Sequence, residues 1–210
     1  MRVLVGCESS GIVRQAFRHA GHDAYSCDLV PAADNQTFHL RCDVRDAIRR
    51  DSWDLLIAHP PCTYLCRSSV WALHRTSANP TPGILYSDAR WSAMRDAATF
   101  FRDLLDAPIP RIAVENPVPH GYARTLIGPY QQLIQPYQFG DDASKATCLW
   151  LKGLPPLIST RLAFPRLVNG QPRWQNQTDS GQNKLGPSNR SARRSQTFPG
   201  IADAMAQQWS

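Results

Sequence analysis

Residues 2–28, RVLVGCESSGIVRQAFRHAGHDAYSCD, decide the fold. A short apolar run reaches Gly6, a glycine-bounded turn (CESSG) follows, a helical stretch ends at Gly21, and a second strand-like run stops at Asp28. Strand, turn, helix, strand is the rhythm of a βαβ unit. Strands that are apolar throughout belong in a parallel sheet covered by helices. The rhythm continues with a weak strand near 38–42 and an acidic end at Asp43, a short helix over DAIRR, and a fourth strand, WDLLIAH, ending at His59. After a loop-like stretch at 66–87, SDARWSAMRDAATFFRDLLDA predicts a long helix. Its residues Trp91, Met94, Ala98, Phe101, Leu104 and Leu105 fall near one face, and Ser87 is placed to cap it. IPRIAVENP reads as the fifth strand, QLIQPYQFG and KATCLWLKG as a strand pair with Pro136 inside the first, and IADAMAQQW as a closing helix.

Composition bounds the rest. With 210 residues, 42% of them hydrophobic, the chain can bury one sizeable core. No apolar run is long enough to span a membrane, and the apolar start is too short for a secretory signal, so a cytoplasmic protein is expected. The six cysteines fit no zinc spacing, and no metal is expected; Cys7, Cys27, Cys42 and Cys148 read as core thiols. The net charge of +6 is unevenly spread: residues 161–202 carry Arg161, Arg166, Arg173, Lys184, Arg190, Arg193 and Arg194 against one acid, Asp179. A basic stretch rich in planar amides suits nucleic acid, arginines meeting phosphate and amides reading base edges.

Ligands of open parallel sheets bind outside the carboxyl ends of the strands. Here those ends carry Gly6 to Gly11, Asp28, Asp43, His59 to Cys62, and Glu115-Asn116. The first turn lets backbone approach a ligand, yet it is neither a phosphate loop nor GxGxxG, and Glu8 within it disfavours a phosphate. Asp28 is placed to hold a ribose diol and Asp43 to accept from an adenine amino group. An adenosine cofactor without a pyrophosphate, such as S-adenosylmethionine, fits that combination. At the fourth strand's end, Pro60-Pro61 restricts the backbone and presents Cys62, which is a nucleophile, a ligand or a small filler. A thiol there can attack C6 of a pyrimidine, and Glu115 one strand over is the right group to balance charge at N3.

Those residues resemble a known family, the cytosine-C5 DNA methyltransferases. Pro61-Cys62 matches the family's Pro-Cys pair after the fourth strand, and Glu115-Asn116 matches its Glu-Asn-Val triplet, with Pro117 in place of Val. The resemblance implies that Cys62 forms the covalent bond to C6, that Glu115 contacts N3 with Asn116 beside it, and that Gly6, Glu8, Ser10, Gly11, Asp28, Asp43 and Pro60 surround S-adenosylmethionine. Lys145-Ala146-Thr147 corresponds loosely to the family's arginine strand, and Arg194, Gln196, Phe198 and Pro199 to its late Arg…Gln-x-Phe-Pro element. Only about residues 152–190 stand where the family has a recognition domain, as in compact phage-type members.

The expected organisation is therefore a Rossmann-like α/β parallel-sheet methyltransferase fold with a reduced recognition segment. Residues 1–151 form the cofactor-binding and catalytic core, 152–190 the short basic DNA-contacting segment, and 191–210 a helix returning to the core. DNA is the expected partner, touched by Arg67, Ser69, Lys145, Trp174, Lys184, Arg190, Arg193 and Arg194, with room for a protein partner or a dimer in site recognition. A DNA-binding module without transfer and action on RNA cytosine both remain open. So does His59, whose side chain either packs the target pocket or hydrogen-bonds the base or cofactor.

Overall fold

Val3, Leu4 and Val5 alternate across the central strand of the sheet, and all three are fully buried. The computed structural model describes residues 1–74, 83–184 and 196–210. The strands are β1 (Arg2–Gly6), β2 (Asp23–Asp28), β3 (His39–Arg41), β4 (Leu55–Ala58), β5 (Arg111–Pro117), β6 (Gln132–Ile134) and β7 (Thr147–Lys152). They form one seven-stranded sheet in the order β3-β2-β1-β4-β5-β7-β6. The first five strands are parallel, and β7 runs antiparallel to both β5 and β6. The helices are α1 (Ile12–His19), α2 (Val44–Arg50), α3 (Ser87–Leu105), α4 (Gly121–Ile127) and α5 (Pro199–Gln208). This sheet with helices on both faces is the Rossmann-like α/β architecture expected from the strand rhythm, mixed rather than parallel throughout because β7 runs antiparallel.

Period-two alternation divides the core into two layers. Val3, Val5, Leu55, Ile57 and Ala113 pack with Val13 and Phe17 of α1 and Ile201 and Met205 of α5. Leu4, Leu56, Ala58, Ile112 and Val114 pack on the other face with Val44 of α2, Met94, Ala98, Phe101 and Leu104 of α3, and Ala123 and Ile127 of α4. Both faces being covered is why the central strands read as continuous apolar runs.

The structure departs from the sequence expectations in several places, including helix α4, which was not expected, and a 3-10 helix, Arg67–Leu73, in the stretch expected to be loop. Ser87 does not cap α3: Tyr86 is the N-cap and makes no side-chain cap bond, while Ser87 is the first helical residue, at φ 49°. Pro136 ends the sixth strand early and opens a 3-10 turn, Pro136–Gln138, since it has no N–H for a ladder. The last helix starts at Pro199, a residue suited to a helix's first turn. The basic segment holds a hairpin, β8 (Arg166–Val168) and β9 (Gln171–Arg173), where only loop was expected. Its turn is Asn169-Gly170, with φ of 51° and 73°, the residue pair that a two-residue hairpin turn favours. No helix among the described residues is long and apolar enough to cross a membrane.

Phe101 is fully buried and meets Trp150 edge-on at 4.9 Å, joining α3 to β7. Replacing it with Ala should cost about 3–5 kcal/mol of stability, seen as a lower urea midpoint with an unchanged slope.

Candidate active site at the carboxyl edge of the sheet

One row of the ladder sets the site. Gly6 pairs with Cys27 on one side and Ala58 on the other, and Ala58 pairs with Val114. The residues one step further on, Asp28, Cys7, His59 and Glu115, therefore stand along the same rim. Gly6 is needed where it is: a Cβ there would lie 2.5 Å from Cγ2 of Val44.

The β4 and β5 ends meet in a buried hydrogen bond. His59 Nδ1 lies 3.0 Å from Oε2 of Glu115, and both side chains are only 9% exposed. Burial alone would neutralise both groups, but each offsets this in the other. Burial pushes His59 down while Glu115, and more weakly Glu8, push it up, and the net direction is upward. Burial pushes Glu115 up while His59 and Lys145 pull it down, and the net direction is downward. Both shifts favour the charged form of the group, the imidazolium and the carboxylate. Lys145 Nζ lies 3.9 Å from the other oxygen, Oε1. Lys145, expected to contact nucleic acid, stands near Glu115 and donates to the Gln196 carbonyl at 3.2 Å. The cause of its nearness to Glu115 is the antiparallel β5–β7 register, which pairs Pro117 with Thr147 and so brings the start of β7 to the end of β5.

Cys62 is half-buried in the turn after Pro60-Pro61. Cys66 N–H donates to its carbonyl at 3.0 Å, closing a helical turn that brings the two thiols together. A hydrogen bond with Cys66, then burial, hold the Cys62 thiol well above its ordinary range, and Lys145 pulls it back down. No group of three or more His, Cys, Asp or Glu among the described residues could hold a metal.

The turn bearing Cys62 is held by residues that the sequence did not single out. Arg90, 4% exposed on α3, donates to the Thr63 carbonyl at 2.6 Å and lies 4.5 Å over the Tyr64 ring. His120 donates from Nε2 to the Tyr64 carbonyl at 3.0 Å and accepts the Ala123 N–H at Nδ1, which fixes its tautomer. The only hint of this in the sequence is that Arg90 adjoins the apolar stripe of its helix.

Nε2 of His59 and Oδ1 of Asn116, both buried, have no hydrogen-bond partner among the described residues. Asn116 is fully buried and turns its amide N–H to the Pro117 carbonyl. Buried polar groups are rarely left unpaired; Asn116 pairs with Cys148 and Glu115 with Leu149, so the Asn116 and His59 side chains lie on opposite faces of the sheet.

On the β1–β2 side, Glu8 is 5% exposed and its carboxylate turns inward. It accepts from Val13 N–H at 2.8 Å, Arg14 N–H at 3.3 Å and the Ser10 hydroxyl at 3.1 Å, capping α1. Glu8 and Ser10 are thus engaged with each other and the helix, and Gly11 caps it at φ 75°. Asp28 accepts the Val30 N–H, and the two residues after it, Leu29 and Val30, are 69% and 52% exposed. Asp43 caps α2 and holds Arg45 through a 2.8 Å ion pair. Burial, with Asp28 and Asp43 adding to it, pushes the Cys7 thiol up to about 12. Pro60 is buried.

The residues expected to touch nucleic acid are scattered. Arg67 is exposed, whereas the Ser69 hydroxyl is turned to the Cys66 carbonyl. Trp174, expected as a stacking ring, is already stacked on Tyr137 at 4.4 Å and 8°. Lys184 is exposed at the end of the hairpin segment. Arg190, Arg193 and Arg194 lie outside the described residues. The feature not anticipated is an apolar surface in the same segment: Ile158, Leu162, Phe164 and Leu167 are 75%, 56%, 80% and 72% exposed.

No family model matches the chain, and no curated protein matches it. Among solved structures, it is similar to a protein described as a DNA modification methyltransferase encoded within an E. coli prophage, at 14% identity and a TM-score of 0.45, over 72% of this chain and 46% of that one. It is also similar to a triple-substituted DNMT2 from Spodoptera frugiperda, at 16% identity and a TM-score of 0.38, over 72% of this chain and 49% of that one. The chain spans about half the length of these two structures.

Because Lys145 pulls the Cys62 thiol down, Lys145→Met should slow alkylation of Cys62 by iodoacetamide at pH 8, as read by mass mapping. An unchanged rate would mean that the ammonium does not act on the thiol.

Proposed function

We propose that the chain transfers a methyl group from S-adenosylmethionine to C5 of cytosine in DNA, with Cys62 bonding transiently to C6. The observation that carries this reading is the buried His59–Glu115 pair at the ends of β4 and β5, with Lys145 close to Glu115 and acting electrostatically on the Cys62 thiol in the turn that follows β4. Sγ of Cys62 attacks C6 as the thiolate, the C5–C6 double-bond pair moves into C4–C5, and the C4–N3 pair moves onto N3, which takes a proton from Glu115. C5 is then the nucleophile. S-adenosylmethionine supplies an electrophilic methyl group when bound. Loss of the C5 proton and expulsion of Cys62 restore the ring. C6 lies within the stack of a duplex, so the target base leaves the helix to react.

The rim around β1 and β2 supports such a cofactor. The carboxylate of Glu8 fills the N-terminus of α1, the place where a dinucleotide would set its pyrophosphate. An adenosine compound without phosphates meets no conflict there. Asp28 offers a carboxylate for a ribose diol beside exposed Leu29 and Val30, a surface for a flat ring. Asp43 lies on the same side, and Gly6, Gly11, Ser10 and Pro60 shape the backbone around it.

Residues 152–190 are assigned to DNA contact and 191–210 to the return of the chain onto the core. In support, Phe164 and Leu162 are exposed close in sequence to exposed Arg161, which sets apolar groups able to enter a base step beside a cation for phosphate, while Arg166 is paired with Asp179 at 2.7 Å. Lys184, Arg190, Arg193 and Arg194 extend the positive charge, and Arg67 adds to it near Cys62.

A second reading, binding without transfer, draws on one feature: the hydrogen bond with Cys66 and burial raise the Cys62 thiol, which disfavours the thiolate that transfer needs. One experiment separates the two. DNA carrying 5-fluorocytosine, with S-adenosylmethionine, should trap a covalent adduct on wild-type protein that maps to Cys62 and is lost in Cys62→Ser. Glu115→Gln should slow trapping by about 10²–10⁴-fold. Cofactor and DNA binding with no adduct would favour the second reading, and mass analysis of nucleosides from cells making the protein distinguishes DNA from RNA as target. Separately, Phe164→Ala should weaken DNA binding about tenfold, the loss of one base–aromatic contact, by fluorescence anisotropy at fixed salt.

A further inference from the structure

We propose that His59 is the positioning residue of this site: it claims Oε2 of Glu115, leaves Oε1 to meet N3 of the base, and lets the pair hold the proton that N3 takes. This rests on the cytosine reading above and goes beyond it, because nothing in that reading requires a histidine.

Geometry carries the first part. The Ala58–Val114 pairing sets His59 level with Glu115, and Nδ1 reaches Oε2 at 3.0 Å. A carboxylate oxygen accepts, so Nδ1 carries hydrogen whatever the charge of the ring. That bond fixes the carboxylate's rotation and leaves Oε1, the oxygen on the Lys145 side, as the only one able to turn a proton to a base.

Proton counting carries the second. N3 of neutral cytosine is an acceptor and so is an ionised carboxylate; two acceptors face to face repel, and a proton must stand between them. A lone Glu115 beside Lys145 would be ionised and lack it. The pair with His59 does not. As imidazolium and carboxylate it holds two protons, on Nδ1 and Nε2. As neutral imidazole and carboxylic acid it again holds two, on Nδ1 and Oε1. The net charge is zero in both forms, so release of the proton at Nε2 with uptake of one at Oε1, by exchange with solvent as the base enters, leaves no uncompensated charge in a buried site. When Sγ of Cys62 bonds to C6, N3 takes the proton from Oε1, and the carboxylate left behind is held by His59 Nδ1–H and the Lys145 ammonium.

The charged groups facing His59 are Glu115 on β5, Glu8 in the turn after β1, and Lys145 ahead of β7. The two carboxylates outweigh burial and the ammonium, so His59 keeps its proton above the ordinary histidine range. The reactive form is therefore complete below that titration and is lost as pH rises through it.

The test is the pH dependence of 5-fluorocytosine trapping in wild type and His59→Asn. The Asn amide can still donate to Oε2 but holds no second proton. The ratio of wild-type to variant rates should be near one in acid, climb tenfold per pH unit once the variant's Glu115 loses its proton, and level off above the wild-type titration. Taking the ratio removes the titration of Cys62, common to both proteins. A ratio that does not vary with pH would overturn the proposal, since a merely structural histidine lowers the rate equally at every pH. A second readout needs no activity: the ¹⁵N signals of the His59 ring in wild type and Glu115→Gln. Wild type should show Nδ1 protonated and a titration above ordinary histidine that drops in the variant. If wild type traps no adduct at any pH, the cytosine reading fails while this titration still decides the inference; a His59 that ignores Glu115→Gln sinks it.

Discussion

The level register of the parallel ladder is the constraint on which the site depends. Parallel pairing of Cys27, Gly6, Ala58 and Val114 in one row puts the next residue of each strand on a common rim. Side chains alternate along a strand, so a slip of one residue between β4 and β5 would turn His59 or Glu115 to the opposite face. The register is held by the core on both sides: Leu56 and Ala58 with Ile112 and Val114 on one face, Leu55 and Ile57 with Ala113 on the other. Burial chosen for packing thus also sets the spacing of the polar ends.

Those ends carry an unfavourable burden. Removing an imidazolium and a carboxylate from water costs more than an exposed pair returns, unless both are matched closely and further charges help. Here Lys145 lies on the far oxygen of Glu115, and Glu8 contributes to the field at His59. Glu8 itself is satisfied by the amides of α1. The result is a fixed row of charges whose rotamers are set before any ligand arrives, with Nε2 of His59 still lacking a partner among the described residues. The turn bearing Cys62 is fixed from outside the sheet, by Arg90 of α3 and His120 at the start of α4, so the thiol's position depends on helices distant in sequence.

Much of the fold was legible. The βαβ rhythm, the long α3 stripe and the β6–β7 pair follow from periodicity, because buried faces must be apolar at the spacing of their element. Errors fell at local backbone chemistry. Ser87 looked like a cap, but the chain enters α3 with Tyr86 as the N-cap. Asn169-Gly170 was a hairpin signal hidden in a polar stretch whose composition suggested loop. At the site, Cys62 and Glu115 stood out since a thiol after two prolines and an acid at a strand end have few packing uses. Lys145 and His59 did not reveal their partners, for each meets Glu115 across a gap in sequence that only pairing closes. Trp174 looked like a free ring in a polar stretch, yet Tyr137 lies against it, while Phe164 nearby stays exposed.

The sequence by itself determined which residue types end each strand, that the strands are covered on both faces, and that the carboxyl edge combines glycines, acids and a thiol. Hydrophobic periodicity encodes this locally, within the reach of one element. Only the tertiary structure decided which of those residues meet. The antiparallel run of β7 delivers Lys145 to Glu115, the parallel β4–β5 register delivers His59 to it, and the fold of the β1 turn commits Glu8 to α1. Strand direction and register are properties of pairs, and no single segment carries them.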